Sequence, residues 1–194
     1  MFQVRFHGRG GQGVVTAAEM LSVAAFLDGR FAQAFPSFGS ERTGAPVVSY
    51  CRIADQEIRT RAPVEAPDAL VVQDATLLHQ VDLFSGVGPE GFVLVNTSHT
   101  FEELGIAEFV SRFRPEHLLT VPATDIALRI LGRPLPNAVL LGGFAAMTGA
   151  VSVDSVVAAI GERFSGSVAE RNAQGAREAA RFVEEERSER ASSD

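Results

Sequence analysis

Short apolar runs alternate with amphipathic segments along most of the chain. Runs of four to seven residues rich in Val, Ile, Leu and Phe predict buried strands, and apolar positions at helical spacing predict helices. The predicted strands are Phe2–Phe6, Phe31–Ala34, Val47–Ile53, Glu57–Arg61, Ala69–Val72, Phe92–Asn96 and Leu118–Val121. The predicted helices between them are chiefly Val14–Leu27, Thr100–Phe113 and Thr124–Leu131. This order predicts an α/β fold, a three-layer Rossmann-like domain with a mainly parallel sheet.

The middle and the end of the chain add an antiparallel hairpin and a helical region. The turn Ala54-Asp55-Gln56 predicts a hairpin that joins the strand before it to Glu57–Arg61. Three further helices are predicted at Asn137–Thr148, Val153–Phe164 and Val168 to about Glu189. The first of them is apolar nearly all round, so it must be covered either within the domain or by another subunit. We expect one domain over residues 1–187 and a polar tail over 188–194.

Composition excludes several classes of function. With 194 residues and 46% hydrophobic content, the chain suits one domain with a substantial core. It contains no apolar run near the ~20 residues of a membrane span and no signal sequence, which predicts a cytoplasmic protein. A net charge of −7 and the absence of Trp argue against nucleic-acid binding. Cys51 is the only cysteine, so this chain alone can hold no iron–sulfur cluster, and its four scattered histidines predict no metal site.

The N-terminal segment Phe2–Gly13, FQVRFHGRGGQG, runs from a strand through a glycine-rich turn into a helix. Glycines at such a junction let backbone N–H groups approach a phosphate at the positive end of the helix dipole. The predicted anion-binding residues are Gly8, Arg9, Gly10, Gly11, Gln12 and Gly13. A purely structural role, a tight turn that lets the helix pack on the sheet, stays open. His7 either reaches a ligand or bonds to backbone at the strand end.

The same glycines match the dinucleotide fingerprint G-x-G-x-x-G, but the acid that binds the ribose is missing. The second strand carries no carboxylate at its end, and Asp28 precedes that strand in a turn. An ordinary NAD site is therefore disfavoured. Asp74 and Asn96 fall at the carboxyl ends of predicted strands, where they serve either as ligand contacts or as helix caps, and capping is favoured.

A second loop, residues 35–46, combines prolines, glycines, two phenylalanines and an adjacent acid–base pair. Gly and Pro fix the backbone while polar side chains offer donors and acceptors, as in many functional loops. A solvated surface turn is the alternative. Neither this loop nor the rest of the chain presents a nucleophile–base pair or paired carboxylates, so no catalytic residue is predicted.

Four motifs, taken together and in order, resemble a known family. They are G-R-G-G-Q-G at Gly8–Gly13, F-G-S-E-R-T-G-A-P-V at Phe38–Val47, N-x-x-L-L-G at Asn137–Gly142 and N-A-Q-G-A at Asn172–Ala176. The chain resembles the gamma subunit of the 2-oxoacid:acceptor oxidoreductases, typified by pyruvate:ferredoxin oxidoreductase. The resemblance spans nearly the whole chain.

The resemblance implies a subunit, inactive alone, of a complex that oxidatively decarboxylates a 2-oxoacid, usually to an acyl-coenzyme A, with ferredoxin or NAD as acceptor. Thiamine diphosphate, Mg and [4Fe–4S] clusters would be held by other chains: thiamine-binding alpha and beta subunits, a ferredoxin-like delta subunit and, in some relatives, a flavin subunit. The glycine loop would meet coenzyme A phosphates or form the cleft wall. The residues implied at the subunit junction or cleft are Ser40, Glu41, Arg42, Thr43, Gly44 and Asn137. Two alternatives stay open, a stand-alone dinucleotide-binding oxidoreductase and a non-catalytic assembly module.

Overall fold

A six-stranded sheet forms the centre of the molecule in the computed structural model, which describes residues 1–37 and 43–192. The strands are β1 (Phe2–Arg9), β2 (Phe31–Pro36), β3 (Pro46–Ala54), β4 (Ala69–Val72), β5 (Phe92–Asn96) and β6 (Leu118–Val121). The α-helices are α1 (Val14–Leu27), α2 (Ala107–Val110), α3 (Ala123–Leu131), α4 (Asn137–Thr148), α5 (Val153–Arg163) and α6 (Gly166–Ala191). Short 3₁₀ helices occupy Ala75–His79 and Pro115–His117.

The strand order is β2-β3-β1-β4-β5-β6, and β3 runs against the other five strands. The pairs β1–β4, β4–β5 and β5–β6 are parallel, with Val4 opposite Ala69 at the centre of the sheet. The predicted α/β fold with a mainly parallel sheet is confirmed. The chain leaves β1 toward the β2 edge and leaves β4 toward the β6 edge, so the β1–β4 boundary is a topological switch point.

The sheet contains an antiparallel hairpin, but β2 and β3 form it, so the predicted hairpin between β3 and Glu57–Arg61 was wrong. Residues 57–61 form no strand, and β3 pairs instead with β2 and β1. Two buried arginines in the sheet hold the segment after β3 in an irregular conformation. Arg52 donates to the carbonyl oxygen of Ala62 at 2.5 Å, and Arg5 donates to that of Val64 at 3.4 Å. These side-chain bonds satisfy carbonyl groups that a strand ladder would otherwise have to pair.

The helix predicted at Thr100–Phe113 is much shorter in the structure, where only Ala107–Val110 is α-helical, so the predicted bounds were wrong. The residues before it form a single turn, in which Leu104 donates to the carbonyl oxygen of Thr100 at 3.0 Å. Gly105 then takes φ +72°, a left-handed conformation that ends a helical turn.

The two faces of the sheet are covered unequally. Helices α1, α4, α5 and α6 pack on one face, and the 3₁₀ helices, α2 and connecting loops cover part of the other. Most of the apolar helix α4 is buried within this chain, chiefly against α6, where Gly142 lies directly over the backbone of Ala176. Helix α4 is therefore covered mainly by other elements of this domain. Helix α6 continues to Ala191, into the segment predicted as a polar tail.

Candidate functional site

The glycine loop, Gly8–Gly13, lies at the switch point between β1 and β4. Strand β1 extends through Arg9, so Gly8 is the last-but-one residue of the strand and Gly10–Gly13 make the turn into α1. Chain connections diverge from this point in opposite directions, which leaves a crevice at the carboxyl ends of the strands. Open α/β sheets bind their ligands in that crevice.

Two of the loop glycines are required by close packing. A Cβ at Gly8 would stand 2.5 Å from Cγ2 of Val14, within the repulsive range of two carbon atoms. Gly13 has φ +70°, and a Cβ there would overlap the side-chain amide of Asn137. The Asn137 Nδ2 donates to the Gly13 carbonyl oxygen at 3.3 Å. The start of α4 is thus fastened to the glycine loop, and these two predicted site residues come together.

Arg9 and Gln12 are engaged by partners within the chain. Gln12 accepts from the Arg9 N–H at 2.7 Å and donates to Asp74 at 2.8 Å. The Arg9 guanidinium donates to Thr76 at 2.9 Å and to Gln80 at 2.8 Å, and its Nε lies 3.3 Å from Asp74. Both side chains brace the loop against the end of β4, so the loop presents mainly its backbone to a ligand.

Asp74 remains charged in this network. Burial raises the pKa of Asp74, but hydrogen bonds from Thr76 and Gln12 and the charge of Arg9 outweigh it and hold the pKa below its ordinary value. The Asp74 side chain also accepts from the Thr76 N–H and caps the 3₁₀ helix Ala75–His79. Asn96 accepts from the Thr124 N–H at 3.1 Å in the first turn of α3. The capping interpretation is confirmed for Asp74, whereas Asn96 is not the N-cap residue of α3, which is Pro122, and only accepts a hydrogen bond from its first turn.

The described end of the second loop lies against the glycine loop. The Gly10 N–H donates to the carbonyl oxygen of Ala45 at 2.9 Å, and the Gly44 N–H donates to that of Gly10 at 3.1 Å. Thr43 and Gly10 form an isolated parallel β-bridge. Arg9 donates to the Gly44 carbonyl oxygen at 3.1 Å. Ser40, Glu41 and Arg42 lie outside the described residues.

The first turn of α1 is an open end of a helix dipole. Gly13 at the N-cap supplies no capping side chain, and the turn contains no acid. A cleft of about 260 Å³ opens over it, with Gly10, Gly11 and Thr16 among its lining residues. Unpaired N–H groups and the positive end of the dipole favour an anionic group in this position.

Within the residues that the structure describes, the acid that a dinucleotide site requires after the second strand is missing. Strand β2 ends at Pro36 without a carboxylate. Asp28 lies at the opposite end of α1, where it accepts from the N–H of Ser152 at 2.7 Å and from the hydroxyl of Ser155 at 2.6 Å. Asp28 therefore joins α1 to α5 and does not face the glycine loop.

His7 and Cys51 are both buried. His7 is 5% exposed and its Nε2 has no hydrogen-bond partner among the described residues. Burial, and secondarily the charge of Arg5, lowers the pKa of His7 to about 3. The imidazole is therefore neutral at physiological pH. Cys51 is fully buried in the core, and this burial raises the pKa of its thiol.

Within residues 1–37 and 43–192, no three His, Cys, Asp or Glu side chains are placed to share a metal ion. In the same part of the chain, no helix combines the length and apolar character that crossing a membrane requires.

Sequence reasoning missed a second and larger cleft beside the loop. It measures about 400 Å³ and shares Gly11, Gly13 and Thr16 with the first cleft. Its other lining residues are Leu131, Arg133, Leu135, Asn137, Arg163, Phe164, Ser167, Val168, Arg171 and Asn172. The three arginines are 8 to 38 residues apart in the sequence and follow no motif, so only their convergence in space identifies them.

Comparisons with known proteins agree with this architecture. Residues 3–182 match the family model described as pyruvate ferredoxin/flavodoxin oxidoreductase. The chain is 50% identical to pyruvate synthase subunit PorC of Methanothermobacter marburgensis, over 91% of this chain and 94% of that protein. It is 49% identical to the common gamma subunit of the pyruvate/ketoisovalerate oxidoreductases of Pyrococcus furiosus, over 92% and 95%.

Solved structures show the same fold. The crystal structure of pyruvate oxidoreductase subunit PORC from Thermotoga maritima matches with a TM-score of 0.79 and 36% identity, covering 93% of this chain and 95% of that one. A 2-oxoglutarate:ferredoxin oxidoreductase from Magnetococcus marinus matches with a TM-score of 0.69 at 15% identity, over 94% of this chain and 30% of that one. The latter likeness concerns the fold alone.

Proposed function

The chain belongs to the pyruvate ferredoxin/flavodoxin oxidoreductase family, and from this premise we propose that it is the gamma-type subunit of a 2-oxoacid:acceptor oxidoreductase complex. Residues 1–187 act as its single gamma-type domain. The observation that carries the proposal is the similarity over more than nine-tenths of the chain to proteins named as pyruvate synthase and ketoisovalerate oxidoreductase subunits.

The complex divides the chemistry among its chains. Alpha and beta subunits hold thiamine diphosphate and Mg, which supply the decarboxylation, and a ferredoxin-like delta subunit holds [4Fe–4S] clusters. A flavin subunit joins where NAD is the acceptor. The single, buried Cys51 supports this division, because an iron–sulfur cluster needs several accessible thiolates. We place the complex in the cytoplasm.

We propose that this chain forms one wall of the site at which the acyl group meets coenzyme A. The glycine loop offers backbone N–H groups and the open dipole of α1 to an anionic group of that cosubstrate. Arg9 and Gln12 support this role by bracing the loop, so it does not have to be ordered when the ligand binds. The segment from Ser40 to Gly44 lies at the subunit junction in this proposal, with Asn137 fixing the far side of the cleft.

The first test is isolation of the complex. The full-length chain, carrying an affinity tag, is expressed in its own host and purified under anaerobic conditions, and partner subunits are identified by mass. We expect thiamine-binding and iron–sulfur subunits, with 2-oxoacid-dependent reduction of the acceptor that requires coenzyme A. Isolation of the chain without companions would contradict the proposal, and tight binding of NADH by the chain alone would favour the dinucleotide-binding alternative.

The second test separates a role in the cleft from a role in assembly. Gly11 has φ +93° and no described atom within 4 Å of the position of its missing Cβ, so Gly11→Val strains the backbone and obstructs the loop. Gly29, with φ +79° and equally free space, lies at the opposite end of α1, so Gly29→Val is the matched control. We expect Gly11→Val to raise the KM for coenzyme A by about tenfold or more, because the close approach of a phosphate to the backbone is lost. An intact complex with unchanged acyl transfer would leave only the assembly role.

A further inference from the structure

The segment that follows β3, residues 55–61 with the sequence DQEIRTR, lies on the surface without backbone partners. Among the residues that the structure describes, no group hydrogen-bonds to a backbone N–H or C=O of residues 56–61. Ile58 is half-buried and the other six residues of the segment are exposed. Exposed backbone groups of this kind can pair with a strand of another chain.

The segment is held in place on both sides. At its start, Arg30 donates to the carboxylate of Asp55 at 2.9 Å. Beyond its end, Arg52 donates to the carbonyl oxygen of Ala62 at 2.5 Å, and the side chain of Val64 is 2% exposed. Because both ends are anchored, the segment loses less conformational entropy when it pairs with another strand than a free loop would lose.

The charges of the segment are complementary to those of a second copy that runs in the opposite direction. Asp55 and Glu57 precede Ile58, and Arg59 and Arg61 follow it at the mirrored positions. When two copies run antiparallel about Ile58, Asp55 lies opposite the Arg61 of the second copy, and Glu57 lies opposite its Arg59. Every charge of the segment then faces an opposite charge. Such cross-strand pairs stabilise a ladder, whereas like charges placed opposite each other destabilise it.

The same charges have only weak partners within the chain. Arg61 makes no hydrogen bond or ion pair with any described residue. Glu57 and Arg59 lie 3.3 Å apart, with side chains that are 70% and 86% exposed. The side chain of Asp55 is 85% exposed although it pairs with Arg30. Since ion pairs this exposed contribute little, they can be exchanged for cross-strand pairs.

An apolar patch adjoins the segment. Phe26, Leu27 and Phe31 are 73%, 41% and 50% exposed, and Phe31 pairs with Ala54, the residue that immediately precedes the segment. A ladder of two short strands is only marginally stable in water. Burial of this patch adds apolar area to the contact between two copies, while the ladder sets their register.

We propose that two copies of this chain associate through residues 55–61, paired antiparallel about a two-fold axis at Ile58. The same segment serves on both chains, so the interface is isologous and the assembly closes at two copies. The strand pattern of Glu57–Arg61, which finds no place in the sheet of its own chain, finds its partner in the second copy. This inference goes beyond the proposed function and does not depend on it.

The association is measured on the full-length chain by sedimentation velocity, from about 5 to about 200 µM in about 150 mM NaCl, which screens the repulsion between two acidic chains. We expect a reversible equilibrium between monomer and dimer. The acidic variant R59E/R61E and the basic variant D55R/E57R each place like charges opposite each other, and each should raise the dissociation constant at least about tenfold. An equimolar mixture of the two variants should dimerise at least as tightly as the wild type, because every pair is again of opposite sign.

The matched control is R177E/R181E, which makes the same change of net charge as the acidic variant at two exposed positions of α6. It should change the dissociation constant by less than about twofold. Three results would overturn the inference. They are a wild type that stays monomeric at every concentration, equal weakening by the control and the acidic variant, and a mixture of the acidic and basic variants that stays monomeric.

Hydrogen exchange followed by mass spectrometry locates the contact. The amides of residues 56–61 should exchange about threefold or more slowly at about 200 µM than at about 5 µM, while the exposed residues 98–100 should not change. A dimer that leaves residues 56–61 unprotected has its interface elsewhere and would contradict the inference. Isolation of the chain from its host without other subunits would refute the proposed function alone, since dimerisation is measured on the purified chain.

Discussion

Lowering the pH from 7 to 5 should destabilise this chain through a single buried residue, His7. The imidazole is 5% exposed and its pKa in the folded state is lowered to about 3, because burial and the nearby charge of Arg5 disfavour a second positive charge. Protonation would also turn the unpartnered Nε2 into a buried donor without an acceptor.

The sign follows from proton linkage. The unfolded chain has the ordinary histidine pKa of 6.5 and takes up a proton first as the pH falls. The contribution of neutral His7 to the free energy of unfolding is therefore complete above about pH 6.5 and is lost progressively toward pH 3. At about 1.4 kcal/mol per pH unit, the loss between pH 6.5 and pH 5 is about 2 kcal/mol. Asp28 and Asp74 have lowered pKa values, so their contributions are lost only below about pH 4, outside this window.

The measurement is urea unfolding followed by far-ultraviolet circular dichroism, at pH 7 and pH 5, for the wild type, His7→Leu and the exposed control His79→Gln. We expect the free energy of unfolding to fall by about 2 kcal/mol in the wild type and in the control, and by clearly less in His7→Leu. A wild type whose stability is the same at both pH values would refute the reasoning. An undiminished loss in His7→Leu would assign the effect to another group.

Two further predictions concern packing and buried charge. Gly142→Ala should cost about 3 kcal/mol, because its Cβ would overlap the carbonyl oxygen of Ala176 and push α4 away from α6, whereas Gly161→Ala, with free space in α5, should stabilise the chain by about 0.5–1 kcal/mol. Thermal melts of the two variants with opposite signs would support the close α4–α6 approach, and equal shifts would contradict it. Arg5→Met should cost about 2 kcal/mol and expose the segment around residues 83–85 to limited proteolysis, because it removes hydrogen bonds to the carbonyl groups of Leu83 and Ser85 and a longer one to that of Val64. The exposed Arg59→Met is the control, and equal cleavage of both variants would show that Arg5 does not hold this segment.

Hydrophobic patterns in the sequence predicted the bounds of those helices and strands whose own composition is enough to specify the secondary structure. The apolar helix α4 has the predicted bounds, Asn137 to Thr148, because its composition favours a helix and demands cover on every side. The parallel strands β4, β5 and β6 also have the predicted bounds, since continuous apolar runs are typical of strands buried on both faces.

Sequence patterns predicted the wrong secondary structure where a segment's contacts with the rest of the fold outweighed its own hydrophobic periodicity. The residues 57–61 alternate like a strand, but β3 already has a neighbour on each side, and Arg52 and Arg5 bind carbonyl groups of the following residues instead. Thr100–Phe113 has helical spacing, but Gly105 ends the first turn.

The α/β class, the glycine loop and the family resemblance could all be predicted before the fold was known, because hydrophobic periodicity and contiguous motifs are properties of neighbouring residues. The hydrogen bond from Asn137 to Gly13 and the ion pair of Arg9 with Asp74 could be seen only once the chain was folded. The fold alone brought three distant arginines to one cleft. Charge compensation depends on distances between side chains, and the topology of the chain sets those distances.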